Sequence, residues 1–292
     1  MALDVYQRIN ALILEQLENC TVPWHKPWSY GEAGAPQNLV SRKAYRGINT
    51  FLLACQPHES PFWLTYRQAK ELGGHVRKGE KSAPVVFWKW LEKPDPETGE
   101  AKRIPLLRYY SVFNSSQCEI PAEKVPELTG AADNDFAPIA KCEHLVELMP
   151  NPPSVLHDAA AAYYLPATDS VHLPMCQRFD SPEAYYATLF HELTHASGHE
   201  SRLNRPGITD VAAFASRSYS KEELIAEMGA AYLCGHTGIE NETLDNSAAY
   251  IAGWLRRLRN DKKLVVHAAA SAQKAADFVS NRSFEEAVLA SV

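Results

Sequence analysis

The segment S-P-E-A-Y-Y-A-T-L-F-H-E-L-T-H-A-S-G at 181–198 restricts the fold more than any other stretch of the chain. Ser181 can cap a helix, Pro182 fits the first helical position, where no amide hydrogen is needed, and Glu183 suits the positive end of the helix dipole. Gly198 is the stop signal. Between these ends a helix sets His191 and His195 four residues apart, hence on one face, where two imidazoles can hold one divalent cation. Glu192 follows the first histidine and is placed to take a proton from an attacking water. The five-residue pattern is short enough to arise by chance on an amphipathic helix, with both histidines as surface groups. Its surroundings favour the metal: a hairpin pattern precedes the helix and a second helix carrying acids follows it.

A catalytic zinc takes three protein ligands and leaves one position for water, so a third ligand is required. The longer pattern H-E-x-x-H-x-x-G-x-x-H matches through Gly198 but meets Ser201 where its last histidine would stand. His199 lies just past the helix stop and reads as a loop or substrate-side histidine. The stretch S-K-E-E-L-I-A-E-M-G-A-A at 220–231 offers Glu223 and Glu227 one helical turn apart, one to ligate and the other to orient a ligand histidine. Ser220-x-x-Glu223 also fits a capping box, in which Glu223 would only bond the backbone. Glu222 reads as a solvated first-turn acid.

A chain of 292 residues is long enough for two cores. It opens without a basic run leading into an apolar stretch and contains no window of about 18 uninterrupted apolar residues, which predicts a cytoplasmic protein that engages no membrane. Cys20, Cys55, Cys118, Cys142, Cys176 and Cys234 are scattered, with no C-x-x-C pair, as reduced core thiols would be. The net charge of -6 conceals an asymmetry. Residues 1–125 hold 16 Lys and Arg against 13 Asp and Glu, a balance of +3, which leaves -9 for the remainder. Five of the six tryptophans also fall in that first part.

Apolar residues at Val5, Ile9, Leu12, Ile13 and Leu17 predict an opening helix over 3–19. A short helix is expected from Thr65 to the Gly73-Gly74 stop. Residues 84–91 and 104–113 read as strands of a hairpin across the turn-rich K-P-D-P-E-T-G-E. Residues 121–140 lack periodicity, a second hairpin is expected around Pro166–Ser170, and the chain reads as helical beyond about 220. The fold class is α+β in two domains: 1–125, a linker at 126–140, and 141–292.

Single-stranded nucleic acid is held by positive charge along the phosphates and by aromatic rings on which bases stack. Residues suited to this are Trp24, Lys26 and Trp28; Arg42, Lys43, Tyr45 and Arg46; Arg77, Lys78 and Lys81; and Lys89 between Trp88 and Trp90. The plain alternative makes about three of the five tryptophans core residues and leaves the basic groups solvated. Composition alone makes DNA one partner among several.

The chain resembles the ArdC-type antirestriction proteins of conjugative plasmids over nearly its full length. The resemblance rests on D-V-Y at 4–6, Pro23-Trp24, Y-R-G-I-N at 45–49, W-L-T at 63–65, G-E-K at 79–81 and Y-x-V-F-N at 110–114. In the second half it rests on Tyr185-Tyr186, F-H-E-L-T-H-A-S-G-H at 190–199, Arg202-Leu203 and E-E-L-I-A-E-M-G-A at 222–230. That family joins an N-terminal single-stranded-DNA-binding domain to a C-terminal zincin-like metallopeptidase domain. The resemblance implies Glu223 as third ligand of a gluzincin-like site, Glu227 as its orienting partner or alternative ligand, and Glu192 as the catalytic acid–base. It implies one divalent ion, with Zn2+ first and Mn2+ or another ion as alternatives, single-stranded DNA as partner, and an unidentified protein substrate. The function implied is protection of incoming plasmid DNA from host restriction during conjugation. Two other functions fit the same motifs: a protective DNA-binding factor with a non-catalytic metal site, and a toxin or effector metallopeptidase whose N-terminal domain recognises protein. Relatives carry Gly-Asp where this chain has His157-Asp158.

Overall fold

The computed structural model describes residues 4–19, 22, 35–54, 56, 58, 60–94, 101–126, 137–209, 217–239 and 248–282, with backbone alone at 54, 88–94, 101–107, 137–138, 217–220 and 248–250. The chain divides into two compact units: Met1–Pro23, Glu32–Ala131 and Leu255–Lys263 form the first, and Trp24–Gly31, Ala132–Trp254 and Leu264–Val292 the second. Helices and strands mix in an α+β architecture.

The first unit opens with α1 (Val5–Glu18), which buries Ile9, Ile13 and Leu17 along one stripe, as their spacing predicts. Asn10 lies in that stripe too, and its side-chain amide donates to the Leu258 carbonyl at 2.9 Å. Next come β1 (Gln37–Asn38), α2 (Ile48–Ala54) and β2 (Phe62–Leu64). The following helix, α3 (Tyr66–Glu71), starts where the sequence places it because Thr65 and Gln68 form a reciprocal capping box. After β3 (His75–Val76), β4 (Ala83–Pro94) and β5 (Ala101–Asn114) pair antiparallel from Ala83 opposite Val112 to Pro94 opposite Ala101. Both strands run past the expected 84–91 and 104–113, since ladder bonds carry pairing into Lys93 and Lys102, where residue propensity gives no signal. A short β6 (Cys118–Glu119) pairs with β3, and the main sheet has the order β1-β2-β5-β4. Its core gathers Leu53, Trp63, Val85, Val112 and Tyr45. Asn49 of the Y-R-G-I-N motif donates to the Val86 carbonyl and accepts the Val86 amide, each at 2.7 Å, so this buried side chain ties α2 to β4.

The second unit begins with α4 (Ala137–Leu148), whose first turn lies inside the 126–140 stretch read as a linker. β7 (Ser154–Leu156), β8 (Tyr163–Leu165) and β9 (Ser170–His172) form a small sheet in the order β7-β9-β8, with the expected hairpin between β8 and β9. Then follow α5 (Pro182–Ala196), a short α6 (Pro206–Thr209), α7 (Arg217–Thr237), α8 (Ala248–Asn260), which from Leu255 onward belongs to the first unit, and α9 (Leu264–Val279). α9 packs on α7 through small residues: Ala268, Ala269, Ala272 and Ala275 are fully buried, and α7 contributes Ala226, Ala230 and Ala231. The approach of α5 to α7 is closer still, because a Cβ at Gly229 would lie 2.4 Å from Thr194 Cγ2. Only glycine allows that separation. Among the described residues no helix is long and apolar enough to cross a membrane.

Candidate metal centre

α5 is built as its sequence indicates: the Ser181 hydroxyl accepts the Ala184 amide at 3.1 Å and Pro182 occupies the first turn. The helical period turns His191 and His195 to the same side, with their Nε2 atoms 3.2 Å apart and their rings at 77°. From α7, Glu223 brings one carboxylate oxygen to 3.7 Å from His191 Nε2 and the other to 3.6 Å from His195 Nε2. A tetrahedral ion with bonds of about 2.0–2.1 Å has ligand–ligand edges of roughly 3.3 Å. The Nε2–Nε2 separation matches such an edge, and one ligand atom from each of the three residues lies within 4.8 Å of the others, close enough to gather around one ion. Among the described residues these three form the one cluster of His, Cys, Asp and Glu able to hold a metal.

Glu192 and Glu227 are both buried. Burial pulls the His195 pKa down, but Glu222, Glu223 and Glu192 around it outweigh burial, and the net shift is upward. This pocket concentrates negative charge on a histidine, a setting that favours a bound cation.

Two readings of α7 need correction. Ser220 lies inside α7, three residues after its start at Arg217, so it is no N-cap and Glu223 has no capping box to serve. Glu222 is not solvated: its side chain is 3% exposed and pairs with Arg205, whose Nη2 lies 2.5 Å from Oε1. Burial pushes the Glu222 carboxyl up, but His195 and Arg205 outweigh burial and hold it down at about 2. Neither residue carried a local signal. Arg205 stands in an R-P-G turn, and its partner is 17 positions away. His199 turns to its own loop, where its Nδ1 meets the Ser201 hydroxyl at 2.8 Å and accepts the Ser201 amide. In the His157-Asp158 pair, His157 Nε2 lies 3.0 Å from the Tyr185 hydroxyl, and Asp158 lies 2.8 Å from His172 Nδ1.

In the first unit Trp24, Lys26 and Trp28 fall outside the described residues, and Lys89 is described through its backbone in β4. Arg42, Lys43, Lys78 and Lys81 are exposed. Arg42, at φ 59°, closes a turn by donating its amide to the Asn38 carbonyl at 2.9 Å and sets its guanidinium 5.2 Å from the Phe62 ring centre. Arg77 is exposed but engaged with Glu80 at 3.3 Å and with the Ser116 carbonyl, and Arg46 is half-buried. Tyr45 is a correction: at 8% exposure it packs in the core with Trp63 and Val112, which leaves no ring face for a base. Its basic neighbours in sequence suggested a surface, but its ring packs into the core beside Phe87. Of the five tryptophans in the first part of the chain, Trp63 is core, as the plain alternative expects for some of them. Sequence inspection missed Tyr66, which is 50% exposed with the Lys70 ammonium 5.2 Å from its ring centre.

A histidine-bearing helix closed by an acid from the next long helix, beside a small mixed sheet, is zincin-like, and residues 145–271 match the family described as zincin-like metallopeptidase. Residues 3–113 match the N-terminal domain of anti-restriction factor ArdC. The chain belongs to the ArdC antirestriction family. The crystal structure of antirestriction protein ArdC from plasmid R388 in its metal-free form is 39% identical, covers 97% of this chain and 100% of its own, and superposes with a TM-score of 0.75. The Mn(II)-bound form of the same protein is 38% identical over 96% of this chain and 98% of its own, again with a TM-score of 0.75. Two Escherichia coli proteins named DNA primase TraC are 36% and 35% identical over 94% and 91% of this chain, which spans only 27% and 19% of their length. The Sinorhizobium fredii protein y4eC is 33% identical over 94% of this chain and 91% of its own.

Proposed function

We propose that this protein protects incoming plasmid DNA from restriction through two capacities. Its first unit binds single-stranded DNA, and its second hydrolyses a peptide bond in a protein substrate with the help of one divalent ion. The observation that carries the second capacity is the convergence of one ligand atom each from His191, His195 and Glu223 within 4.8 Å of one another, with Glu192 buried on the helix that carries both histidines. His191, His195 and Glu223 hold the ion. A donor set of two nitrogens and one oxygen suits Zn2+ first, and the Mn(II)-bound relative keeps Mn2+ as the alternative. The ion supplies Lewis acidity, lowering the pKa of water toward about 7 and polarising a carbonyl. Glu192 accepts the proton of the attacking water and returns it to the departing amine. A purely structural site has no need of that carboxylate, which weighs against a non-catalytic metal.

DNA binding is supported by family membership, by relatives named DNA primases, and by the exposed Arg42, Lys43, Lys78 and Lys81. We assign the protein to the cytoplasm, where entering single strands are met. The deciding experiment follows survival of incoming plasmid DNA in a restricting host. Wild type, Glu192→Ala and a variant with Arg42, Lys43, Lys78 and Lys81 changed to Glu are compared, alongside a peptidase assay on host proteins. The charge-reversed variant is expected to lose protection, and Glu192→Ala to lose any proteolysis. Protection that survives charge reversal overturns the DNA-binding part. A purified metal-loaded protein that cleaves no host protein overturns the peptidase part.

A further inference from the structure

The Arg205 guanidinium spends its donors within one small region. Nε donates to both Glu222 carboxylate oxygens at 3.1 and 3.2 Å, and Nη2 donates to Glu222 Oε1 and to the Thr194 carbonyl at 2.6 Å. Nη1 donates to the Ser197 hydroxyl at 2.7 Å, and Ser197 donates in turn to the Thr194 carbonyl. A guanidinium is planar with its donors in a fixed fork, so these bonds set the Glu222 carboxylate rigidly against the last turn of α5. That turn carries His195. The same carboxylate faces His195 Nδ1 at 3.6 Å, within ion-pair range and just short of a hydrogen bond. His195 Nδ1 is buried and has no hydrogen-bond partner.

The loop between α5 and α7 leaves room for this pair at two glycines. A Cβ at Gly198 would lie 2.8 Å from Arg205 Nη2, and a Cβ at Gly207 would lie 2.9 Å from Glu222 Oε2. Stability does not explain the arrangement, because a buried ion pair returns little beyond its desolvation cost and apolar residues of similar volume serve as well or better. A histidine that ligates a metal through one nitrogen, however, needs an acceptor at the other to fix its ring and raise its basicity.

We propose that Glu222, locked by Arg205, is the positioning residue for His195. The inference rests on the metal-site reading above and assigns a role on α7 to the residue immediately before the ligand Glu223. The Arg205–Glu222 pair thus aims Nε2 of His195 at the site from behind, and the ion is bound tightly only when that carboxylate is present.

The test is Zn2+ affinity by chelator competition on the full-length protein, with Tm measured on each metal-free variant and d–d spectra recorded at saturating Co2+. Glu222→Gln is expected to weaken Zn2+ binding about 10–100-fold and to shift the Co2+ bands, which a residue that only tied the loop to α7 would leave in place. Arg205→Met/Glu222→Leu leaves no unpaired buried charge, so it keeps the test open if Glu222→Gln does not fold. It is expected to show the same loss of affinity at near-wild-type Tm. A wild-type chain that binds no divalent ion overturns the metal reading and this inference with it. Wild-type affinity and Co2+ bands in a folded variant of either kind overturn the positioning role alone.

Discussion

At the scale of single residues, the acids of α7 divide by what they can reach. Glu223 brings its carboxylate within 3.7 Å of both Nε2 atoms, and Glu227 is buried a turn further along. We predict that Glu223→Gln lowers Zn2+ affinity more than Glu227→Gln, because loss of a charged ligand is replaced poorly by water whereas loss of an orienting partner costs about 10–100-fold. His191→Ala and His195→Ala should each remove most of the metal, and Glu192→Ala should keep it. Metal content after dialysis, read by elemental analysis, checks all five; a metal-free Glu227→Gln beside a silent Glu223→Gln reverses the assignment. The histidine face was legible in the sequence because a helical period of 3.6 fixes where residues 191 and 195 point once the helix is capped. Glu222 was not legible. A helix start at Ser220 would put it in a first turn facing water, but α7 begins at Arg217, and the acid is buried against an arginine delivered by a separate loop.

At the scale of elements, the centre depends on how closely two helices approach. Thr194, the neighbour of His195, meets Gly229 on α7, six positions after Glu223. Gly229→Ala must push α7 away from α5 or displace the Thr194 side chain, and overpacking of this kind typically costs about 1–3 kcal/mol. We predict a lower Tm together with weaker Zn2+ binding, since the shift separates Glu223 from the histidines. A lower Tm with full affinity would show that the site tolerates the displacement. The α3 cap makes a smaller claim: Thr65→Ala removes the acceptor for the Gln68 amide and should cost about 1 kcal/mol in urea unfolding. Element identity was read well where local chemistry decides it, as at Ser181, Thr65 and the β8–β9 turn. Strand ends in β4 and β5 were not, because cross-strand bonds rather than side chains extend them.

At the scale of the molecule, charge and chain path matter most. Binding of single-stranded DNA should weaken steeply with salt as condensed counterions are released. Tyr66→Ala should weaken it further, by the roughly 1–3 kcal/mol that one stacked base contributes. Fluorescence anisotropy with a labelled oligonucleotide from low to physiological salt tests both, and an affinity that ignores salt would remove the electrostatic basis of the assignment. The structure also sets a limit on cutting the protein at residue 125. Residues 255–263 belong to the first unit, and Leu258 there accepts the buried Asn10 amide of α1. A fragment ending at 125 leaves that donor unpaired, at a cost of about 1–3 kcal/mol, and should unfold at lower urea than the first transition of the whole chain. No periodicity near the N-terminus announces a partner 248 residues distant.

That distant partner also sets an order of events during synthesis. At about 5–20 residues per second, the segment 255–263 leaves the ribosome on the order of ten seconds after residue 126. The part of the chain made first is therefore completed late, after most of the part made second already exists. Until Leu258 arrives, α1 presents Ile9, Ile13 and Leu17 without the carbonyl that closes the stripe around Asn10. A nascent chain in this interval has its histidine-bearing helix in hand before its N-terminal unit is whole.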